Sequence, residues 1–290
     1  MKRNDDRGTI RVVSTESLLS ISRAWLTVYC HQVCGYEWGL KRPVANWFVN
    51  RLGAPSFSAD ISYFTRYGIA SRAAWFVAQL EAILITSASQ NERVVIWALV
   101  AGLDSRRQWI MLNHATQIAY HEFYCGKLFS VKDAILRDSP WRNQWVSVQK
   151  HAVGLCAIGI GDFSQYNGKV LVVAEGVLDC FDEGISLRII QGVTYRAPGV
   201  LVLLDAQISW LLSLNNNSLR RAIGAYDLGF GLAPGIPRTF CEGLCGLTIR
   251  KQRSLFPSLI VRWAPVMEYF SMPKKIRQMF ILTVQEVALS

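Results

Sequence analysis

"ERVVIWALVAGL", residues 92–103, opens on two charged residues and then runs for ten with no charge at all. Its reading decides the fold. A segment that is apolar all round is one surrounded by core, and "SRAAWFVAQLEAILITSAS", residues 71–89, is apolar on nearly all sides too. Both are read as helices, the central core elements of the first half of the chain. The run at 92–103 is about half the roughly 20 residues a membrane span needs, and the other strongly apolar stretch, "GVLVLLDAQISWLLSL" (199–214), contains Asp205 and Gln207. Neither is read as transmembrane.

Towards the N-terminus the pattern stays helical. Leu18, Ile21, Trp25, Val28 and Tyr29 recur at three- and four-residue steps behind a capped start at Ser14 and Glu16, and the helix ends near Gly35. "KRPVANWFVNRLGAPSFSAD" (41–60) holds a second, short helix between Pro43 and the Gly53-Ala54-Pro55 breaker. Towards the C-terminus, "SRRQWIMLNHATQIAYHEFY" (105–124) has an amphipathic pattern through Trp109, Leu112, Ala115, Ile118, Ala119 and Phe123, and a further short helix stops near Pro140.

After about residue 150 the texture changes. Runs of β-favouring residues such as "VGLCAIGI", "KVLVVAEG", "ISLRIIQGVTYRA", "GVLVLLDA", "GLTIRK", "SLIVRWA" and "QMFILTVQEV" alternate with Gly, Asn, Asp and Pro, as strands do. "YNGK" (166–169) carries the Asn-Gly of a tight hairpin turn. The expected class is α+β, a mostly helical N-terminal half packed on a strand-rich, largely antiparallel C-terminal half. Residues 1–13 are expected to form a flexible arm, 14–150 a helical domain and 151–290 a β-rich domain, packed together as one compact unit.

Composition excludes a disordered chain: 51% of residues are hydrophobic and 18% charged, with 10 Trp, 10 Tyr and 13 Phe. The start, "MKRNDDRGTIRVV", puts Asp5, Asp6 and Arg7 where a secretory signal needs its apolar region, so the protein is expected to be intracellular, in cytoplasm or nucleus, and not secreted. Seven cysteines cannot all pair, which favours reduced thiols. Three Cys/His pairs have the i, i+4 spacing that could offer two ligands to one metal: Cys30/Cys34, His121/Cys125 and Cys241/Cys245. No Cys-x2-Cys knuckle occurs, and Cys30 continues an apolar stripe with Leu19, Leu26 and Val33, so core packing is preferred and no metal is assigned.

The charge is the strongest global signal. Against 21 Asp+Glu stand 31 Lys+Arg, a net +10, and a chain of this kind is attracted to polyanions. Arg250, Lys251, Arg253, Arg262, Lys274, Lys275 and Arg277 are the candidate polyanion-binding residues, interleaved with Phe256, Trp263, Tyr269 and Phe270. The first functional expectation is therefore a non-enzymatic basic component of an assembly, of the viral or mobile-element structural kind, whose partners are nucleic acid or an anionic membrane surface, with protein partners or self-association through its aromatics.

Two alternatives use other residues. His114, Ile118, His121 and Cys125 would follow one face of a helix over 105–124, an arrangement that could centre a metal- or thiol-dependent enzyme on His114, His121 and Cys125. Residues 61–80 can be laid on a helix-turn-helix, with Gly68 in the turn and Arg72 and Gln79 facing a groove. The glycine-rich stretches "AIGIGDFSQYNG" and "LGFGLAPGIPRTF" lack the complete fingerprint of a nucleotide loop, and "GVTYRAPG" has only the arginine of a dinucleotide grip. No cofactor is assigned from them.

Overall fold

Val94–Ala98 is a strand, not a helix, and all five of its residues are buried. A short, wholly apolar run has no period with which to choose between buried helix and buried strand. The β-branched Val94, Val95 and Ile96 favour the strand, and a strand covered on both faces reads as a continuous hydrophobic run. The same correction applies at Ile118–Tyr124, expected as the end of an amphipathic helix and found as a strand. The computed structural model describes residues 15–34, 43–54, 63–99, 102–103, 118–124, 128–152, 168–175, 200–206, 247–254 and 283–289.

Seven strands form one sheet: β1 (Val94–Ala98), β2 (Ile118–Tyr124), β3 (Gln149–Ala152), β4 (Lys169–Ala174), β5 (Leu201–Ala206), β6 (Leu247–Ser254) and β7 (Thr283–Leu289). Their order is β3-β2-β1-β4-β5-β7-β6. The first five run parallel, and β7 is antiparallel to both β5 and β6. The architecture is thus α/β with a predominantly parallel sheet, which overturns the expectation of α+β with largely antiparallel pairing. Strands at 169–174, 201–206, 247–254 and 283–289 lie where β-favouring runs were read, but their pairing partners were not legible. Neighbouring parallel strands need a crossover rather than a tight turn, and β4 pairs in parallel with β1 and β5, which leaves it no antiparallel partner for the hairpin expected at "YNGK", whose Tyr166 and Asn167 lie outside the described residues. Gly168 instead enters β4 at φ +144°, where its missing side chain lets the backbone of Arg93 approach and Lys169 N–H donate to Arg93 O at 2.9 Å.

The sheet crosses the boundary placed near residue 150, because β1 and β2 precede it, β4 follows it, and β1 pairs with β4.

Five helices accompany these strands: α1 (Thr15–Cys34), α2 (Pro43–Leu52), α3 (Tyr63–Ser89), α4 (Leu128–Arg137) and α5 (Arg142–Ser147). The starts and stops of α1 and α2 agree with the caps and breakers in the sequence. Gly53, at φ +76°, closes α2 by donating its N–H to Val49 O at 2.7 Å, and the Trp25 indole of α1 donates to Gly53 O at 2.9 Å. α3 runs unbroken through Gly68, so no turn separates two helices over 61–80 and the helix-turn-helix reading fails. The helix ends at a left-handed Asn91 (φ 55°), with Glu92 N–H bonded to Ser87 O at 2.8 Å, and β1 begins two residues later.

One face of the sheet, carrying Val94, Ile96, Ala98, Tyr120, Tyr124, Leu171, Val173, Leu201 and Leu203, joins a core with Ala24, Val28, Phe48, Trp75, Phe76, Leu80, Leu128 and Leu136 of the helices. Each large side chain buried there contributes on the order of 1.5–3 kcal/mol relative to exposure. The opposite face, with Trp97, His121, Phe123, Val172, Val202 and Leu204, is buried as well. Among the described residues no helix is long and apolar enough to cross a membrane.

Candidate functional site

In open α/β sheets ligands bind outside the carboxyl ends of the strands, where the strand order reverses. Here that switch point lies between β1 and β4: β2 and β3 follow on one side of β1, and β4 and β5 on the other. Leu99 N–H donates to Val173 O at 2.9 Å, extending the β1–β4 ladder to the very end of both strands. The chain leaving β1 passes Gly102 and Leu103; the chain leaving β4 begins at Glu175.

Four buried or nearly buried charges gather around these ends. On α3, Arg72 lies 3.6 Å from Glu175, the two side chains being 10% and 6% exposed. On α4, Lys132 is wholly buried and donates to both carboxylate oxygens of Glu122, each at 2.8 Å, and to Gly102 O at 3.2 Å. Three acceptors for three ammonium hydrogens is the complete set a buried lysine needs. The rings of Tyr124 and Trp145 lie over the same ammonium, at 5.6 and 5.0 Å. Lys150 also lies over the Trp145 ring (4.4 Å) and donates to Trp145 O at 2.8 Å; burial lowers its pKa. The Trp145 indole donates to Asp133, which holds that carboxyl below its usual range, with Arg137 adding to the effect.

The Tyr124 hydroxyl at the end of β2 and the Trp75 indole N–H, one turn along α3 from Arg72, are buried without a hydrogen-bond partner among the described residues. Buried polar atoms of this kind call for a partner such as water or a ligand.

The residues expected to carry chemistry are dispersed. His121 lies in β2, side by side with Glu122 in sequence and therefore on opposite faces of the sheet. It is fully buried, packed against Trp97, and its Nδ1 is 3.1 Å from Nε2 of His151. Burial first, then the neighbouring His151, pushes its pKa down to about 4. The helical face that was to align His114, His121 and Cys125 does not exist at Ile118–Tyr124, and this corrects the enzyme reading centred on them; His114 and Cys125 lie outside the described residues. Cys30 and Cys34 are buried in α1 and form no disulfide, and burial, then Cys34, raises the Cys30 thiol. Among the described residues no group of three or more His, Cys, Asp or Glu could hold a metal. Cys241 and Cys245, the glycine-rich stretches apart from Gly168, and Arg196 lie outside the described residues.

Arg250, Lys251 and Arg253 lie on β6 at the sheet's edge, beside a register irregularity between Ile249 and Lys251. Arg262, Lys274, Lys275 and Arg277 lie outside the described residues. Arg72, read as facing a DNA groove, is turned inward to Glu175. Glu122, Lys132 and Glu175 were not singled out from sequence. The available signal was an acid within or just after an apolar strand, in "IAYHEFY" and "KVLVVAEG".

No family model matches the chain, and no curated protein matches it. Solved structures do. A DUF574 family protein from Streptomyces avermitilis is similar over 92% of this chain and 97% of its own, at 11% identity and a TM-score of 0.50. PigF, solved with SAH, is similar over 84% of this chain and 62% of its own, at 13% identity and a TM-score of 0.47. The O-methyltransferase NcsB1 from neocarzinostatin biosynthesis, in complex with S-adenosyl-L-homocysteine (SAH) and 1,4-dihydroxy-2-naphthoic acid, is similar at 10% identity and a TM-score of 0.42; the match covers 68% of this chain and about half, 49%, of NcsB1. At these identities the likeness is one of fold. Together with the strand order it overturns the expectation of a non-enzymatic, nucleic-acid-binding assembly component: the fold is an open, mainly parallel α/β sheet whose strand order reverses between β1 and β4.

Proposed function

We propose that this chain is a small-molecule enzyme of the methyltransferase kind, binding S-adenosylmethionine at the carboxyl ends of β1 and β4. One observation carries the reading: a guanidinium and a carboxylate, Arg72 and Glu175, stand 3.6 Å apart and almost buried at the switch point. Such a pair suits a ligand whose end presents both a carboxylate and an ammonium, as the amino-acid end of S-adenosylmethionine does. The residues present fit such a group: Arg72 would hold its carboxylate, Glu175 its ammonium, and the Tyr124 hydroxyl offers a polar partner at the end of β2. When bound, the cofactor supplies a methyl group on a sulfonium. The chain's part is to orient it, through charges already fixed in place before it arrives.

Isothermal titration of the purified protein with S-adenosylmethionine and SAH tests this. Saturable binding of either is expected, weakened about tenfold or more by Glu175→Gln, since tenfold corresponds to about 1.4 kcal/mol and a charged hydrogen bond contributes about 1.5–3 kcal/mol. A folded wild-type protein that binds neither at 1 mM (roughly −4 kcal/mol on the affinity scale) contradicts the proposal.

A further inference from the structure

The Lys132 ammonium touches both the chain leaving β1 and the strand beside it. It holds Gly102 O at 3.2 Å and both oxygens of Glu122 at 2.8 Å, from a helix that packs on the same face of the sheet. Leu99 and Leu103 on either side are buried, so Lys132 adds a polar tie to a stretch whose flanks apolar packing already anchors. Gly102 has no side chain, and a Cβ built there would meet only Ala24 of α1, at 3.4 Å. Glu122 is held in turn: it takes both contacts from Lys132 and has no exposure to solvent.

We infer that Lys132 is a positioning residue of the ligand site: it sets the backbone leaving β1 by tying Gly102 to Glu122 of β2, so that the switch-point crevice is formed before ligand enters. This rests on the ligand reading proposed above, and its role is distinct from that of Arg72 and Glu175, which would meet the ligand directly. A site shaped in advance binds more tightly than one that must be ordered on binding, because the ordering cost has already been met. Glu122, the acid nearest the end of β2, is by the same geometry engaged in holding the turn.

The test has a ligand-free arm and a ligand arm. In ligand-free wild-type protein, hydrogen exchange at Leu99, Gly102 and Leu103 should be as slow as over β1; exchange at unprotected rates there overturns the inference. The variant carrying both Glu122→Gln and Lys132→Met removes the two charges together and leaves neither buried alone. It should melt within a few degrees of wild type, exchange at least tenfold faster at Gly102 and Leu103 with β4 unchanged, and bind SAH at least tenfold more weakly. A folded double variant with wild-type exchange and wild-type affinity overturns the inference. Arg137→Ala, which breaks the exposed Asp133–Arg137 pair on the same helix, should change neither reading. Should wild type bind no SAH, the ligand reading fails by itself, and the exchange arm still decides whether Lys132 sets the turn; should the double variant not fold, the wild-type exchange decides it.

Discussion

Glu122 and Lys132 show how differently a charge counts inside and outside a fold. Each is fully buried, and each is tolerable only because the other is present. Lys132→Met alone leaves a carboxylate without its cation and should cost about 3–5 kcal/mol in urea denaturation, whereas the double Glu122→Gln/Lys132→Met should fall within about 1–2 kcal/mol of wild type. Equal losses in single and double variants would mean the pair is not coupled. The stacked imidazoles of His121 and His151 make a second residue-scale prediction. His121 in the folded protein titrates at about 4, below its unfolded value of 6.5, so between those pH values the unfolded state holds the extra proton. The stability this provides is complete above pH 6.5 and drains away as pH falls towards 4. His151, also lowered by burial, acts in the same direction. Thermal melts should fall steadily from pH 7 to pH 4, with a slope reduced when both rings are replaced by phenylalanine; an unchanged slope in that double variant would remove the imidazoles as the cause.

Elements were legible in proportion to how far a local signal decides them. Helices α1 and α2 were found because Ser14, Pro43 and Gly53 mark their ends, and the exposed faces make the period visible. Strands β1 and β2 were read as helices because burial on two faces erases the alternation that identifies a strand, and because "HATQIAYHEFY" satisfies helical spacing as well as it does a pleat. The pairing of β1 with β4 joins residues 75 positions apart, such as Val94 and Lys169, and has no local signature. Of the site, the sequence reading named Arg72, in a different role, and passed over Glu122, Lys132 and Glu175, whose meaning comes from strand order. Gly168 tests the register directly. A Cβ there would lie 2.3 Å from Arg93 O, at a φ of +144°, so Gly168→Ala should destabilise by about 2 kcal/mol or more in denaturant titration. A neutral result would place β4 in a different register against β1. On the helical side, Phe48→Ala should cost about 3–5 kcal/mol, because α2 packs through it into the shared core.

At the scale of the molecule, the net charge of +10 led the sequence reading towards polyanions, but net charge does not say which way the cations point. Arg72 and Lys132 point inward, to Glu175 and Glu122, at the ends of the strands where the order reverses. The sheet order β3-β2-β1-β4-β5-β7-β6 brings these acids and bases, far apart in sequence, to the carboxyl ends of neighbouring strands. A crystal structure of the protein soaked with SAH most directly measures where a ligand binds. The account predicts SAH between the carboxyl ends of β1 and β4, its carboxylate towards Arg72 and its ammonium towards Glu175. SAH bound away from those strand ends, or a crevice that stays closed to it at saturating concentration, would contradict the account.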